Sequence, residues 1–217
     1  METGFLFREI GVGDRAYPYA IYVPRDYDAE RSWPLLVFLN GRGECGTDGV
    51  KHLAIGLGPA IMFHPDEWPF IVLFPQKPNP ESEWEDHDAA VMAMVERANS
   101  HYSIDASRCC LTGLSQGGHG TWTIGANHPE VWSALAPICG YGKPADLAES
   151  LKGTPIWCFH GDADEAVPVS ESNEIVAAIN EKGGRPKLTI YPGVGHNSWD
   201  RAYREEGLAA WLLSHRR

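Results

Sequence analysis

The strongest constraint on the fold is a stretch with no polar side chain in it. Pro34-Leu35-Leu36-Val37-Phe38-Leu39 is apolar throughout. A strand with one face in water alternates polar with apolar, so an unbroken run of this length predicts a strand covered on both faces. Tyr19–Val23 precedes it, and Phe70–Phe74, Arg108–Thr112, Ala134–Ile138, Pro155–Phe159 and Lys187–Tyr191 follow with similar strand-like character. Helical spacing falls between and after these runs. Val91, Met94, Val95 and Ala98 lie on one helix face, and Leu208, Trp211, Leu212 and His215 repeat the pattern near the C-terminus. Asp86 and Asp88 stand before the first of these helices, where acidic groups suit the positive end of the helix dipole. Ser170, Glu171 and Glu174 open another helix, which stops at Gly183-Gly184. Strands alternating with helices predict an α/β fold on a mostly parallel sheet. With no repeat and no break in composition, residues 1–217 read as one domain. In such sheets chemistry collects on the loops at the carboxyl ends of the strands.

Composition narrows the class of function. The chain is 43% hydrophobic, enough for a core, and carries a formal charge of -11. Binding to nucleic acid or to an anionic membrane surface needs clustered Lys and Arg, so neither partner is expected. No stretch reaches the ~18 apolar residues of a membrane span. The N-terminus lacks a basic region followed by an apolar run, so a cytoplasmic location is expected, although a secreted protein trimmed of its leader would read the same. The cysteines at 45, 109, 110, 139 and 158 are odd in number and form no C-x-x-C pair. That excludes a disulfide framework or zinc ribbon and makes Cys109, Cys139 and Cys158 buried structural thiols.

Gly113-Leu114-Ser115-Gln116-Gly117 is a G-x-S-x-G pentapeptide between a strand-like run and a helix-compatible stretch from Gly118 to Ala126. A tight strand-to-helix turn here raises the serine oxygen above the sheet, and the small residues let neighbouring backbone come close. A serine hydroxyl needs an adjacent base oriented by a third group. Both occur in the chain order this turn requires. His160-Gly161-Asp162-Ala163-Asp164 follows one strand-like run, and Gly193-Val194-Gly195-His196 follows the last. Spacing alone leaves Asp162 and Asp164 equally eligible. The amide of Gln116, after the nucleophile, is one expected oxyanion donor; the second comes from the loop Asn40-Gly41-Arg42-Gly43.

Taken together, Leu39 to Glu44, Leu111 to Gly118, His160 to Asp164 with Val167-Pro168, and Gly195-His196 resemble the α/β-hydrolase superfamily. Within it the chain resembles the dienelactone-hydrolase-like and polyhydroxybutyrate-depolymerase-like esterases, a group that includes predicted peptidases. The resemblance implies an α/β-hydrolase fold with about eight strands flanked by helices. It implies Ser115 as nucleophile, His196 as base and, through the pattern H-G-x-x-D-x-x-V-P, Asp164 rather than Asp162 as the orienting acid. Matching H-G-x-G-E, it assigns the second oxyanion amide to Arg42, with Asn40 where histidine is usual. Glu44 then reads either as a polar contact beside the nucleophile or as a salt-bridge or loop hydrogen-bond partner.

Trp84, Trp199 and His119 are expected at the substrate pocket, with His119 reading also as a support behind it, and Trp122 in the core. The eight tryptophans suggest a largely apolar cleft. No H-E-x-x-H or paired-histidine spacing occurs, so no metal and no cofactor are expected. Only fourteen residues, Tyr141 to Thr154, separate two strands where many relatives insert a lid. The expectation is therefore no cap domain and an open cleft for short acyl chains. The activity implied is hydrolysis of short-chain or small aryl carboxylic esters through an acyl-enzyme, by a monomer or homodimer acting on a small molecule. The alternatives are the same residues serving a peptidase, a feruloyl-type esterase or a dienelactone-type hydrolase, and, from another class, a non-catalytic receptor. Dienelactone hydrolases proper use a cysteine nucleophile, which Ser115 does not match.

Overall fold

The computed structural model describes residues 2–217. In chain order its elements are β1 (Gly4–Val12), β2 (Arg15–Val23), β3 (Trp33–Leu39), α1 (Leu57–Phe63), β4 (Ile71–Pro75), α2 (Asp88–His101), β5 (Ile104–Leu114), α3 (Gln116–Asn127), β6 (Ala134–Ile138), α4 (Pro144–Leu151), β7 (Trp157–Gly161), α5 (Val169–Glu181), β8 (Lys187–Tyr191), α6 (Trp199–Arg204) and α7 (Leu208–Leu213). The strands form one eight-stranded sheet in the order β1-β2-β4-β3-β5-β6-β7-β8. β1 and β2 pair antiparallel, and β2 meets β4 antiparallel. From β4 through β3 to β8 every pairing is parallel.

Two core layers explain the unbroken apolar run of β3. Leu35, Val37 and Leu39 point into a layer shared with Val91 and Met94 of α2, Trp122 of α3, Leu151 of α4 and Ile175 of α5. Leu36 and Phe38 point the other way, against Leu57 and Ile61 of α1, Tyr203 of α6 and Leu212 of α7. Successive strand residues face opposite sides, so a strand with helices on both faces must be apolar at every position.

β1 is the strand that the sequence pattern does not reveal. It lies at the sheet edge, Arg8 and Glu9 interrupt it, and Phe7 is left 53% exposed. An edge strand has less apolar surface to cover, so its run is broken by charge. The C-terminal helix is shorter than the periodicity suggests. It ends at Leu213, and His215 lies beyond it with its ring against Trp211. The Tyr141–Thr154 segment folds into α4, which packs Leu147 and Leu151 into the core beside α3 and α5. No helix among the described residues is long and apolar enough to cross a membrane.

The junction of β5 and α3 is the tightest point in the fold. A Cβ at Gly117 would lie 1.9 Å from the Leu39 carbonyl oxygen, and one at Gly113 would lie 2.3 Å from the Gly117 carbonyl oxygen. Only glycine lets α3 seat this close to β3 and β5. Ser115, between them, has φ 56° and ψ -119°, a conformation that L-residues rarely adopt. Its amide donates to Ile138 O at 2.9 Å, which ties the turn to the end of β6. Replacing Gly117 with Ala forces backbone against backbone. We expect Gly117→Ala to lower the unfolding free energy by about 3 kcal/mol in urea titrations.

Candidate active site

The carboxyl ends of the six parallel strands converge on a cleft of about 650 Å³. Gly41 to Glu44 come from the loop after β3, Pro80 to Glu83 from that after β4, Ser115 and Gln116 from the β5–α3 turn, and Tyr141 from beyond β6. Ala166 and Val167 follow β7, and His196 and Trp199 follow β8.

Ser115, His196 and Asp164 form a continuous hydrogen-bonded line. Ser115 Oγ lies 2.8 Å from His196 Nε2, and His196 Nδ1 lies 2.7 Å from Asp164 Oδ2. Asp164 Oδ1 accepts the amides of Ala166 and Val167, each at 2.9 Å. Burial alone would push the Asp164 carboxyl up, but the His196 N–H and these two amides outweigh it and hold it below the usual aspartate value. Asp162 is turned elsewhere, with Oδ1 accepting the Gly193 amide at 2.6 Å and shaping the loop that carries His196. The arrangement is a hydroxyl beside an imidazole whose far nitrogen rests on a carboxylate. It can pass the serine proton to the ring while the carboxylate orients and stabilises the resulting imidazolium.

Gln116 is the first residue of α3, and Arg42 opens a single helical turn, Arg42–Glu44. First-turn amides have no acceptor inside their own helix. Both residues line the same cleft as Ser115. The Arg42 side chain points away from that role and pairs with Glu81 at the rim. Glu44 also lines the cleft. Burial pushes its carboxyl up, opposed by its own amide, Lys51, the Gly41 amide and the nearby His196. Among the described residues no salt-bridge partner reaches it, and it lines the same cleft as Ser115.

Two of the predicted pocket residues lie elsewhere. Trp84 is 1% exposed, donates its indole N–H to Asn40 O at 3.0 Å, and packs against Gly120 of α3. The reason is local. Glu83 and Asp86 form a reciprocal capping box, which coils Trp84–His87 into a helical turn and rotates the indole inward. His119 is buried behind the cleft, stacked on the Tyr141 ring at 4.6 Å with Nδ1 donating to Tyr141 O and Nε2 3.0 Å from Glu85. It supports a wall that Tyr141 presents. Trp199 does line the cleft, its ring edge-on to His196 at 5.3 Å, and Trp122 is in the core.

The expectation of a largely apolar, tryptophan-rich cleft is corrected as well. Six of the eight tryptophans are buried in the core layers, and Trp199 alone reaches the lining. Arg42, Glu44, Glu81, Glu83, Gln116 and Tyr141 make the cleft walls polar. Large apolar side chains are consumed in covering the sheet, while loops that run over the surface stay polar.

Tyr141 and Lys77 escaped the sequence reading. Tyr141 stands three residues past the end of β6, a position the strand-end rule could have flagged, and its hydroxyl donates to Glu83 Oε1 at 2.8 Å. Lys77 is wholly buried, which no pattern signals. Its ammonium donates to the Asn79 and Ser82 carbonyls, and its amide donates to Asn40 Oδ1 at 3.1 Å. Asn40 therefore packs the loop, and Lys77 ties that loop to the Pro80–Glu83 wall.

Metal-ligating types meet at one place. Cys139, Asp164 and His196 have ligand atoms within 4.8 Å of one another. Both nitrogens of His196 are already engaged, so an ion there would break the serine–imidazole–carboxylate line. Asp86, His87 and Asp88 are drawn apart: Asp86 caps its turn, His87 meets Tyr17 and Ser82, and Asp88 holds His128.

The sheet order and the serine turn define an α/β-hydrolase fold. Residues 75–208 match the model of the dienelactone hydrolase family, and the chain belongs to that family. It is 28% identical over 171 residues to feruloyl esterase B of Neurospora crassa, covering 71% of this chain and 58% of that protein. It is 30% identical over 125 residues to a putative carboxymethylenebutenolidase of Methylorubrum extorquens, covering 50% of this chain and 42% of that one. The crystal structure of a thermostable esterase superposes with a TM-score of 0.86 at 32% identity, covering 98% of this chain and 63% of the other. The chain thus spans less than two thirds of the length of each of these relatives.

Burial sorts the five free thiols. It pushes Cys109 up to about 11 and Cys110 and Cys158 up to about 12, and raises Cys139 further; burial raises Cys45 too, against Lys77 and Asn40, but this thiol is only half-buried and so accessible. Titration with a disulfide reagent at about pH 8 should therefore modify one thiol in the native protein, lost in Cys45→Ala, and all five in denaturant.

Proposed function

We propose that the chain is a serine carboxylic-ester hydrolase acting through an acyl-enzyme. Ser115 Oγ attacks the ester carbonyl as His196 Nε2 takes its proton. Asp164 holds the ring tautomer, and the Gln116 and Arg42 amides receive the oxyanion. His196 then protonates the departing alcohol, and water enters by the same route to release the acid. The observation that carries this reading is the unbroken line from Ser115 Oγ through His196 to Asp164 Oδ2, at 2.8 and 2.7 Å, on the floor of the cleft. We expect Ser115→Ala to lose about 10⁴-fold or more in kcat on p-nitrophenyl acetate. A fluorophosphonate probe should label wild type at Ser115 and leave the variant unlabelled. A variant that keeps full turnover overturns the assignment, and a wild type that binds esters without turnover or labelling would instead be a receptor.

Cleft chemistry favours neutral esters of modest size. The one guanidinium in the lining is paired with Glu81, and the Lys77 ammonium is turned onto backbone carbonyls. Glu44 and Glu83 add acceptors, not donors. Among the described residues no unpaired cation lines the cleft to meet a substrate carboxylate, which argues against the carboxylate-bearing lactone that the name carboxymethylenebutenolidase denotes. α4 packs Leu147, Ala148 and Leu151 onto the core, and none of its residues lines the cleft, so this helix does not enclose a long acyl chain. Trp199 and Tyr141 both line the cleft and offer aromatic rings to a small aryl ester, in keeping with the feruloyl esterase relative. In a substrate panel, p-nitrophenyl acetate and methyl hydroxycinnamates should be turned over. Anionic lactones should fall about a hundredfold lower in kcat/KM through like-charge repulsion. Long-chain esters preferred over short ones would contradict this reading.

A further inference from the structure

Asp164 touches a second imidazole besides that of His196. His160, at the end of β7, places Nε2 3.3 Å from Asp164 Oδ2, the same oxygen that receives the His196 N–H, and all of this contact is buried. His160 Nε2 also lies 2.9 Å from Val167 O, and Nδ1 lies 2.7 Å from Ser172 Oγ of α5. A carbonyl oxygen can only accept, so Nε2 must carry a proton. Burial holds the ring below the usual histidine value and therefore neutral near neutral pH. Nδ1 then accepts the Ser172 hydroxyl, whose oxygen takes the Cys158 thiol at 3.3 Å. The N–H of His160 thus donates to the Val167 carbonyl, and the same nitrogen stands 3.3 Å from the Asp164 carboxylate, so its positive end faces that oxygen. The ester-hydrolysis steps above leave this histidine unused.

We propose that His160 is a positioning residue for ester hydrolysis: its Nε2–H, aimed by Ser172, holds Asp164 Oδ2 in line with His196 Nδ1 and takes up part of that oxygen's charge. The proposal rests on Asp164 being the acid partner of His196. The other ionisable groups facing these residues are few. Cys139, from the end of β6, faces Asp164, Cys158 faces Ser172, and Glu44 lies within electrostatic reach of His196. Burial keeps both thiols protonated, and all three groups are unaltered in the variants below.

Without the His160 N–H, Oδ2 gives its whole charge to His196, and the protonated ring becomes easier to form. The acid limb of the kcat/KM profile should move to higher pH by about half a unit in His160→Leu, with kcat/KM about tenfold lower on its plateau. His160→Gln, which can offer an amide N–H in the same direction, should recover most of both effects. Ser172→Ala, which leaves the ring unaimed, should shift the limb the same way by less. A merely structural histidine would lower activity equally at every pH, with Gln no better than Leu, and that result overturns the proposal. If His160→Leu does not fold, Ser172→Ala and the wild-type ¹⁵N imidazole spectrum decide. A neutral ring protonated on Nε2 is expected at about pH 7, and an Nδ1–H tautomer or a doubly protonated ring overturns the proposal. Full activity in Asp164→Ala would overturn the assignment of the acid and this inference with it. An inactive Asp164→Ala with an unmoved limb in the His160 variants overturns the inference alone.

Discussion

Everything at the cleft depends on how closely α3 sits on the sheet. The Leu39 carbonyl oxygen occupies the space where a side chain at position 117 would begin. That contact sets the first turn of α3 against the end of β3, and so places the Gln116 amide beside the loop that carries Arg42. The same turn puts Ser115 in its left-handed conformation, and the Ile138 carbonyl locks it from the other side. Strain of this kind persists only where surrounding contacts over-determine it. Here three strands and a helix do so.

The rest of the cleft is assembled by buried polar groups that bind loops to one another. Lys77 joins Asn40 to the Asn79–Ser82 backbone, and the Trp84 indole meets the Asn40 carbonyl from beneath. His119 and Glu83 fix the Tyr141 wall from its ring and its hydroxyl. On the opposite side Asp164 collects two amides and two imidazoles. A loop held by several such bonds is positioned nearly as firmly as a strand, because releasing any one of them leaves a buried group unpaired.

Legibility in the sequence follows the range of the interactions involved. The central strands were visible because an apolar run records burial on both faces, and β1 was not, because Arg8 and Glu9 interrupt this edge strand. Ser115 and His196 were visible because each lies on a glycine-flanked turn directly after a strand. Asp164 and Asp162, two residues apart on one loop, became distinguishable by motif resemblance; in the fold Asp164 is buried against two amides and His196, while Asp162 is exposed and holds the Gly193 amide. Trp84 and His119 misled for one reason: residues near the cleft in sequence can face away from it once a capping box or a helical turn rotates them. Lys77 left no trace, since its partners are backbone carbonyls that every residue carries.

By itself, then, the sequence determined the α/β layering, the serine turn and the chain order of the three proposed catalytic residues, because periodicity and tight turns are local properties written in residue type. Only the tertiary structure decided the character of the cleft. Its walls come from six separate loops, and their side chains are sorted by competition between covering the sheet and facing water. That competition sent six tryptophans into the core and left carboxylates, a tyrosine and a single tryptophan around the serine.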